Sequence, residues 1–170
     1  EAALIVSAAK ADIIKEDLHQ KYPRKDEILF TSERKIMTTM HDIDGKYVSY
    51  VKGAPEVILG LCTHVYEKGR VKKITQAKKK EITRVNEEFA NNALRVLGFA
   101  YGKFTNKSKA EKNLVFVGLQ GMMDPPREEI MDAISKCNEA GIRVIMITGD
   151  NAITAKAIAA AIGIEGKVMT

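Results

Sequence analysis

The 170-residue sequence is poor in the residues that build metal centres and disulfide frameworks. Its two cysteines are Cys62 and Cys137, and its three histidines are scattered without partners at metal-ligand spacing. No internal repeat is visible. This cysteine usage does not indicate an oxidising compartment, so we expect both thiols to be free and buried. We predict no protein-bound metal.

Long apolar runs are also missing. The longest, Leu114 to Met123, is interrupted by polar or glycine residues and falls short of the roughly 18 to 20 residues that a helix needs to span a bilayer. The chain opens on an alanine-rich segment, so we expect no signal peptide. With 45% hydrophobic and 29% charged residues, the composition is that of a soluble globular protein with one domain and part of another.

Basic residues outnumber acidic ones. There are 27 Lys and Arg against 22 Asp and Glu, a formal charge of +5, with a lysine cluster between Lys68 and Lys80. Three of these lysines begin a helical stretch, and we expect them on its solvent face. The predicted buried stripe of that helix is Ile82, Val85, Phe89, Ala93, Val96 and Leu97. No aromatic residues interleave the lysines, so we expect no nucleic-acid partner.

The first part of the chain alternates strands with helices. We predict a helix from about Ala2 to Lys15, a helix starting at Pro55 and a long helix from about Thr75 to Leu97. Predicted strands are 27–30, 35–41, 46–51, 98–104 and 114–121. Asp44-Gly45 and Lys68-Gly69 are tight-turn signals. This order predicts an α/β (α+β) fold with a mixed, largely antiparallel sheet flanked by helices.

The pattern changes at Asp124. Two prolines precede a helix that runs from Ile130 to Gly141, and an apolar run from 142 to 147 then reads as a strand before the helix 152–162. In such βα layouts, ligands lie beyond the carboxyl ends of strands, where a helix N-terminus favours anions. We predict that Thr148, Gly149 and Asp150 bind phosphate. The residues alone are equally compatible with a plain capped turn.

Five separated motifs resemble those of the cation-transporting P-type ATPases, in particular the Ca²⁺-pump-like branch. They are Phe30-Thr-Ser-Glu-Arg-Lys35, Lys52-Gly-Ala-Pro-Glu56, Leu94-Arg-Val-Leu97, Asp124-Pro-Pro-Arg127 and Thr148-Gly-Asp-Asn151, in the family's order. The resemblance implies a nucleotide-binding domain at residues 1–124 and part of the phosphorylation domain at 125–170. The second part would be a Rossmann-like βα segment of the haloacid-dehalogenase type, with a hinge at 124–127.

The resemblance also implies an ATP site. Phe30 would stack on adenine, Lys52 and Gly53 would line the adenosine pocket, and Glu1 would hydrogen-bond the adenine amino group. Lys35 and Arg95 would place positive charge around the triphosphate, and Thr148, Gly149 and Asp150 would receive the γ-phosphate together with Mg²⁺. Ser32 stands where some members carry an arginine, which puts one phosphate contact in doubt and leaves Arg34 or Lys35 as replacements.

Two family elements are missing from the sequence. It has no Asp-Lys-Thr-Gly-Thr loop, which carries the phosphorylated aspartate, and no downstream Gly-Asp-Gly loop. We therefore predict no catalytic residue here and expect this chain to bind ATP without turnover. The resemblance implies a parent enzyme that drives cation transport, with Ca²⁺ as the cation, and places this chain on the cytoplasmic side of an integral membrane protein. Its partners would be the transmembrane, actuator and remaining phosphorylation-domain segments.

Two other classes stay open at this point. A soluble haloacid-dehalogenase-like phosphohydrolase would use a similar Thr-Gly-Asp loop, but it needs an aspartate nucleophile after a first strand, and no apolar run ends in a suitable Asp-x-Asp. A noncatalytic module would bind polyanions through the lysine-rich helix. That class predicts salt-sensitive binding with no preference for ATP over other polyphosphates.

Overall fold

The computed structural model describes residues 2–123, 127–149, 152–164, 166–167 and 169. The strands are β1 (Arg24–Ile28), β2 (Ile36–Ile43), β3 (Lys46–Gly53), β4 (Cys62–Glu67), β5 (Arg70–Lys73), β6 (Arg95–Lys103) and β7 (Leu114–Met122). The helices are α1 (Ala2–Ala9), α2 (Lys15–Lys21), α3 (Pro55–Leu61), α4 (Gln76–Asn91), α5 (Ile130–Glu139) and α6 (Ala152–Ala161).

The seven strands form one sheet in the order β1-β2-β3-β6-β7-β4-β5. The pairs β1–β2, β2–β3, β3–β6 and β4–β5 are antiparallel, and β4 pairs with β7 in parallel. Asp44 and Gly45 both have positive φ, 53° and 73°, as a tight hairpin turn requires. The predicted α/β fold with a mixed, largely antiparallel sheet flanked by helices is therefore confirmed.

The core packs one face of the sheet against α3 and α4. Ile58 of α3 and Leu114 of β7 are fully buried at its centre. The other buried members are Ile36, Val51, Leu59, Cys62, Val65, Ile82, Ala100 and Phe116. Pro55 stands at the first helical position of α3, where a missing N–H is tolerated and the ring sets φ for the helix.

Contacts divide the chain into two compact units. One comprises the residues up to Thr83 together with Leu97–Gln120, and the other comprises Arg84–Val96 together with the residues from Gly121 onwards. Within the second unit, Gly121 lies against Phe89 and Leu94, where an added Cβ would meet side-chain atoms at 3.1 Å. No helix in the described part of the chain is long and apolar enough to cross a membrane.

Two predicted helices end earlier than expected. The first stops at Ala9, Asp12 follows with a φ of 57°, and a separate helix, α2, begins at Lys15, where the first helix was predicted to end. The long helix stops at Asn91 because Ala93 adopts a left-handed conformation and the Leu94 N–H donates to the Phe89 carbonyl, a C-terminal capping pattern. The predicted burial of Val96 and Leu97 on that helix is therefore wrong, since both lie in β6.

The predicted strand at 142–147 is also wrong. The segment after α5 has no strand pairing in the described structure, and Ile145 and Ile147 are 73% and 94% exposed. A strand needs a neighbour for its N–H and C=O groups, and in the described structure this run is paired with no strand. The Rossmann-like segment is not confirmed, although Gly141, with a φ of 71°, ends α5 as predicted.

Candidate functional site

The sheet face opposite the core carries a row of three side chains centred on Lys52. In an antiparallel ladder, directly opposed residues project on the same face. Lys52 of β3 is opposed by Met37 of β2 on one side and by Phe99 of β6 on the other, and all three are half-buried. Val51 and Ala100, one position away, are buried in the core. We call the side that carries Met37, Lys52 and Phe99 the open face.

Aromatic surface continues along the open face. Tyr50 is opposed by Thr39 and Tyr101, and its ring meets that of His41 edge-on at 5.4 Å between centroids. Partial burial raises the pKa of Tyr50 above its ordinary value, and the neighbouring phenols of Tyr22 and Tyr101 act in the same direction. Around Lys52, the open face therefore combines apolar and aromatic surface with a cationic side chain.

Gly53 and Lys35 come together at one end of this face. Gly53 is buried with a φ of 155°, and an added Cβ would lie 2.2 Å from the Lys35 carbonyl oxygen. The Ala54 N–H donates to the same oxygen at 3.0 Å. Besides its predicted place in the adenosine pocket, Gly53 has a steric role against Lys35. The exposed Lys35 is thereby fixed beside the end of β3.

Phe30 lies in the loop between β1 and β2, two residues beyond the end of β1. The residue is 57% exposed. Arg34 holds this loop, because its Nη1 donates to the Leu29 carbonyl at 2.8 Å and its backbone N–H donates to Thr31 Oγ1 at 3.2 Å. Arg34 Nη2 also pairs with Glu111 Oε1 at 2.5 Å. The guanidinium that could have replaced the phosphate contact at Ser32 is thus engaged within the protein.

The other predicted site residues are Arg95, Thr148, Gly149, Glu1 and Asp150. Arg95 is the exposed first residue of β6, so its predicted place on a helix is wrong. Thr148 and Gly149 are exposed in the segment that precedes α6, and an added Cβ on Gly149 would meet no atom within 4 Å. Glu1 and Asp150 lie outside the described residues, as do the first three residues of the predicted hinge at 124–127.

Two residues of the open face were missed by sequence reasoning. Met37 and Phe99 lie within predicted strands, but only the register places them on either side of Lys52. The observed register, in which Gly53 pairs with Gly98, sets Phe99 beside Lys52, and no motif in the sequence indicates this register.

Two lysines of the lysine-rich helix are less exposed to solvent than predicted. Lys78 Nζ lies 2.9 Å from a Glu67 carboxylate oxygen and 3.0 Å from one of Glu81, and these acids raise its pKa. Lys79 Nζ donates to the Leu59 carbonyl at 2.8 Å. The prediction of a purely solvated lysine face is therefore wrong for Lys78 and Lys79, which hold α4 to neighbouring elements.

A second cationic surface lies at the other end of β3. A cavity of about 680 Å³ is lined there by the lysines Lys46, Lys103, Lys109 and Lys112 and by Gly45, Tyr47, Phe104, Thr105 and Asn113. The Tyr47 and Phe104 rings lie 5.7 Å apart. These described lining residues include no carboxylate. We call this the lysine cavity; it can attract anions and must be distinguished from the open face in any binding experiment.

The two cysteines are both free but differ in burial. Cys62 is free and buried, as predicted, and burial raises its pKa to about 12. Cys137 is free but only half-buried. Among the residues the structure describes, no group of three His, Cys, Asp or Glu side chains could hold a metal ion.

Comparisons with known proteins agree with the sequence motifs. Residues 1–129 match the family described as P-type ATPase, cytoplasmic domain N. The chain is 41% identical over 168 residues to calcium-transporting ATPase 1 of Bacillus cereus and 38% identical over 178 residues to the calcium-transporting ATPase of Bacillus subtilis. It is 36% identical over 183 residues to the sodium/potassium-transporting ATPase subunit alpha of Drosophila melanogaster.

These alignments cover almost the whole chain but little of each relative. They include 96%, 99% and 96% of this chain, against 19%, 20% and 17% of the three relatives. The chain therefore spans about a fifth of the length of the curated relatives it matches.

Proposed function

Because this chain belongs to the P-type ATPase family and contains its cytoplasmic domain N, we propose that it binds ATP through the open face of its sheet. The observation that carries this proposal is the row of Met37, Lys52 and Phe99, with Lys35 held at the adjoining end of the sheet. Apolar and aromatic surface is what an adenine ring requires, and ammonium groups beside it are what phosphates require.

Phe30 is the proposed stacking residue. Phe30 is more than half exposed, and its loop leads directly to Lys35. Stacking of a base on an aromatic side chain contributes about 1 to 3 kcal/mol by alanine substitution. Lys52 and Gly53 would line the adenosine pocket and Lys35 would approach the phosphates. Arg95 would also face the phosphates, and Glu1 would hydrogen-bond the adenine amino group.

The second part of the chain supplies the proposed phosphate end. Thr148, Gly149 and Asp150 would receive the γ-phosphate, with residues 1–124 and 125–170 as the two domains and 124–127 as the hinge. Mg²⁺ would enter with the phosphates, since it keeps several waters and takes few protein ligands. The sequence lacks the Asp-Lys-Thr-Gly-Thr nucleophile, so we expect this chain to bind ATP without hydrolysing it.

In the parent protein, phosphorylation of an aspartate outside this chain would drive cation transport. We propose Ca²⁺ as the cation, because several of the relatives in the comparison are named calcium-transporting ATPases. The chain would then lie on the cytoplasmic side of a membrane pump. Its partners would be the transmembrane, actuator and remaining phosphorylation-domain segments of that pump.

A titration with ATP, GTP and tripolyphosphate tests the proposal. We expect ATP to bind more tightly than tripolyphosphate, and Phe30→Ala to weaken ATP binding about 5- to 150-fold, the equivalent of one lost stacking contact. Phe104→Ala, which removes an aromatic ring from the lysine cavity, is the matched control and should leave ATP affinity unchanged. Equal affinity for all three ligands, or no effect of Phe30→Ala, would contradict the proposal.

The lysine cavity supports a second candidate function, binding of polyanions without regard to the base. Its four lysines make it a better candidate for this than the α4 helix, where Lys78 and Lys79 are engaged with protein groups. This alternative predicts strongly salt-dependent binding, equal affinity for ATP and tripolyphosphate, and loss of both in Lys103→Ala.

A further inference from the structure

We propose that Glu111 is a positioning residue for the nucleotide site, acting through Arg34 on the loop that carries Phe30. This inference rests on the proposed ATP-binding function. We define the Phe30 loop as residues 29–35. Glu111 lies far away in sequence, in the segment between β6 and β7, so no local pattern connects the two.

The Glu111 carboxylate joins two elements. Its Oε1 accepts from Arg34 Nη2 at 2.5 Å and from Thr38 Oγ1 at 2.5 Å. Thr38 lies in β2 and is fully buried, while the side chains of Arg34 and Glu111 retain only 29% and 24% of their exposure. A carboxylate that accepts both a guanidinium and a buried hydroxyl has a defined direction, because few alternative rotamers satisfy both donors.

The segment that carries Glu111 is itself anchored on the core face of the sheet. Ser49 of β3 is fully buried, and its Oγ donates to the carbonyl of Ala110 at 2.5 Å. Ala110 is also buried. Two buried hydroxyls, one from each of two neighbouring strands, therefore hold consecutive residues of this segment. Glu111 consequently reaches Arg34 from a fixed base.

Arg34 links Glu111 to Phe30 through hydrogen bonds to the residues on both sides of Phe30. Its Nη1 donates to the carbonyl of Leu29, which precedes Phe30, and its backbone N–H donates to the hydroxyl of Thr31, which follows it. Both neighbours of the stacking ring are thus bonded to the residue that Glu111 orients. An exposed aromatic ring held in this way loses less conformational entropy when it stacks on a base.

Lys35 does not depend on this network in the same way. Its carbonyl accepts from the Ala54 N–H and its own N–H donates to the Thr31 carbonyl at 2.8 Å. Gly53 packs directly against it. Loss of Glu111 should therefore disturb the recognition of the base more than the attraction of the phosphates.

A double-mutant cycle tests this inference. We expect Glu111→Gln to weaken ATP binding about 10-fold and tripolyphosphate binding less than about twofold. In a Phe30→Ala background, the same substitution should change ATP affinity less than about twofold, because its effect passes through the ring. A purely structural role of Glu111 would instead give the same loss in both backgrounds and for both ligands.

Two further variants keep the test decisive. Thr38→Val replaces Glu111→Gln if the latter does not fold. It removes one donor to Glu111 while leaving the Arg34–Glu111 pair, so it should weaken ATP binding by a smaller factor and again only when Phe30 is present. Lys107 lies in the same segment as Glu111 and forms an exposed ion pair with Asp26. Lys107→Ala breaks this pair and should leave ATP binding unchanged. If Phe30→Ala leaves ATP affinity unchanged, the proposed function itself would be refuted. If Phe30→Ala weakens ATP binding but Glu111→Gln weakens it equally with and without Phe30, only the positioning role would be refuted.

Discussion

Two segments that the sequence predicts as strands have different structures. Residues 48–53 lie in β3, paired with β2 on one side and β6 on the other. Residues 142–147 are more apolar than 48–53 but form no strand in the described part of the chain, and their isoleucines are largely exposed. The difference shows that apolar, β-branched composition favours a strand only where neighbours complete its hydrogen bonds.

The same contrast separates two groups of residues that we propose to bind ATP. Lys52 and Gly53 are fixed by ladder pairing and by contact with the backbone of Lys35. Thr148 and Gly149 are exposed, and the surroundings of Gly149 are open. We therefore expect the adenosine end to be ordered without ligand, and substitutions in the two regions to have unequal effects.

The largest contrast should come from isoleucine truncation. Ile58 is fully buried behind Gly98, whereas Ile147 is 94% exposed. Ile58→Ala should lower the free energy of unfolding by about 2 to 5 kcal/mol through lost burial and a cavity. Ile147→Ala should change it by less than about 0.5 kcal/mol. Urea unfolding measures both, and a comparable loss in Ile147→Ala would mean that 142–147 is packed in solution.

Adding a methyl group to each site glycine gives a second contrast. Gly53→Ala should destabilise by about 3 kcal/mol, the upper part of the usual range for single substitutions, because its Cβ would overlap the Lys35 carbonyl. Gly149→Ala should be close to neutral, since nothing surrounds its Cβ. Gly60→Ala is the matched control in the first unit, where open space on α3 predicts a slight gain. Equal effects at Gly53 and Gly149 would contradict the assigned packing.

Thiol reactivity should show a smaller contrast. At neutral to mildly alkaline pH, a thiol reagent should modify half-buried Cys137 in the native protein and reach Cys62 only after unfolding, because Cys62 is buried and its raised pKa leaves little thiolate. Cys62→Ala and Cys137→Ala identify the labelled site by mass. Rapid native labelling of Cys62 would contradict its burial in the core.

The Cys62 pKa also predicts a pH dependence of stability. The folded protein holds this proton up to a pKa of about 12, whereas the unfolded chain releases it near 9.0. The unfolded state therefore binds fewer protons between these values, and the free energy of unfolding falls as pH rises from about 9 towards 12. Below pH 9 the contribution is constant. The free energy of unfolding should fall less steeply with pH in Cys62→Ala than in the unmodified protein. Identical slopes would contradict the raised pKa of Cys62.

Local signals in the sequence predicted most of the first unit. The Asp44-Gly45 turn and the start of α3 at Pro55 follow directly from residues with restricted or permissive backbones. The end of α4 was missed, because Ala93 adopts a left-handed conformation that its sequence neighbours do not signal. The strand at 142–147 was predicted wrongly because pairing is a tertiary property.

The candidate site was only partly accessible to sequence reasoning. Motifs indicated Phe30, Lys35, Lys52 and Gly53, but the placement of Met37 and Phe99 beside Lys52 depends on strand register. The link from Glu111 to Arg34 depends on how a distant segment crosses the core face, which periodicity does not encode.

Amide chemical-shift mapping of the chain during an ATP titration tests the ATP-binding proposal most directly. We expect the largest perturbations at Phe30, Lys52 and Phe99, with no comparable change around Lys46 and Phe104. Perturbations centred on the lysine cavity, or an unchanged spectrum at saturating ATP, would contradict binding at the open face.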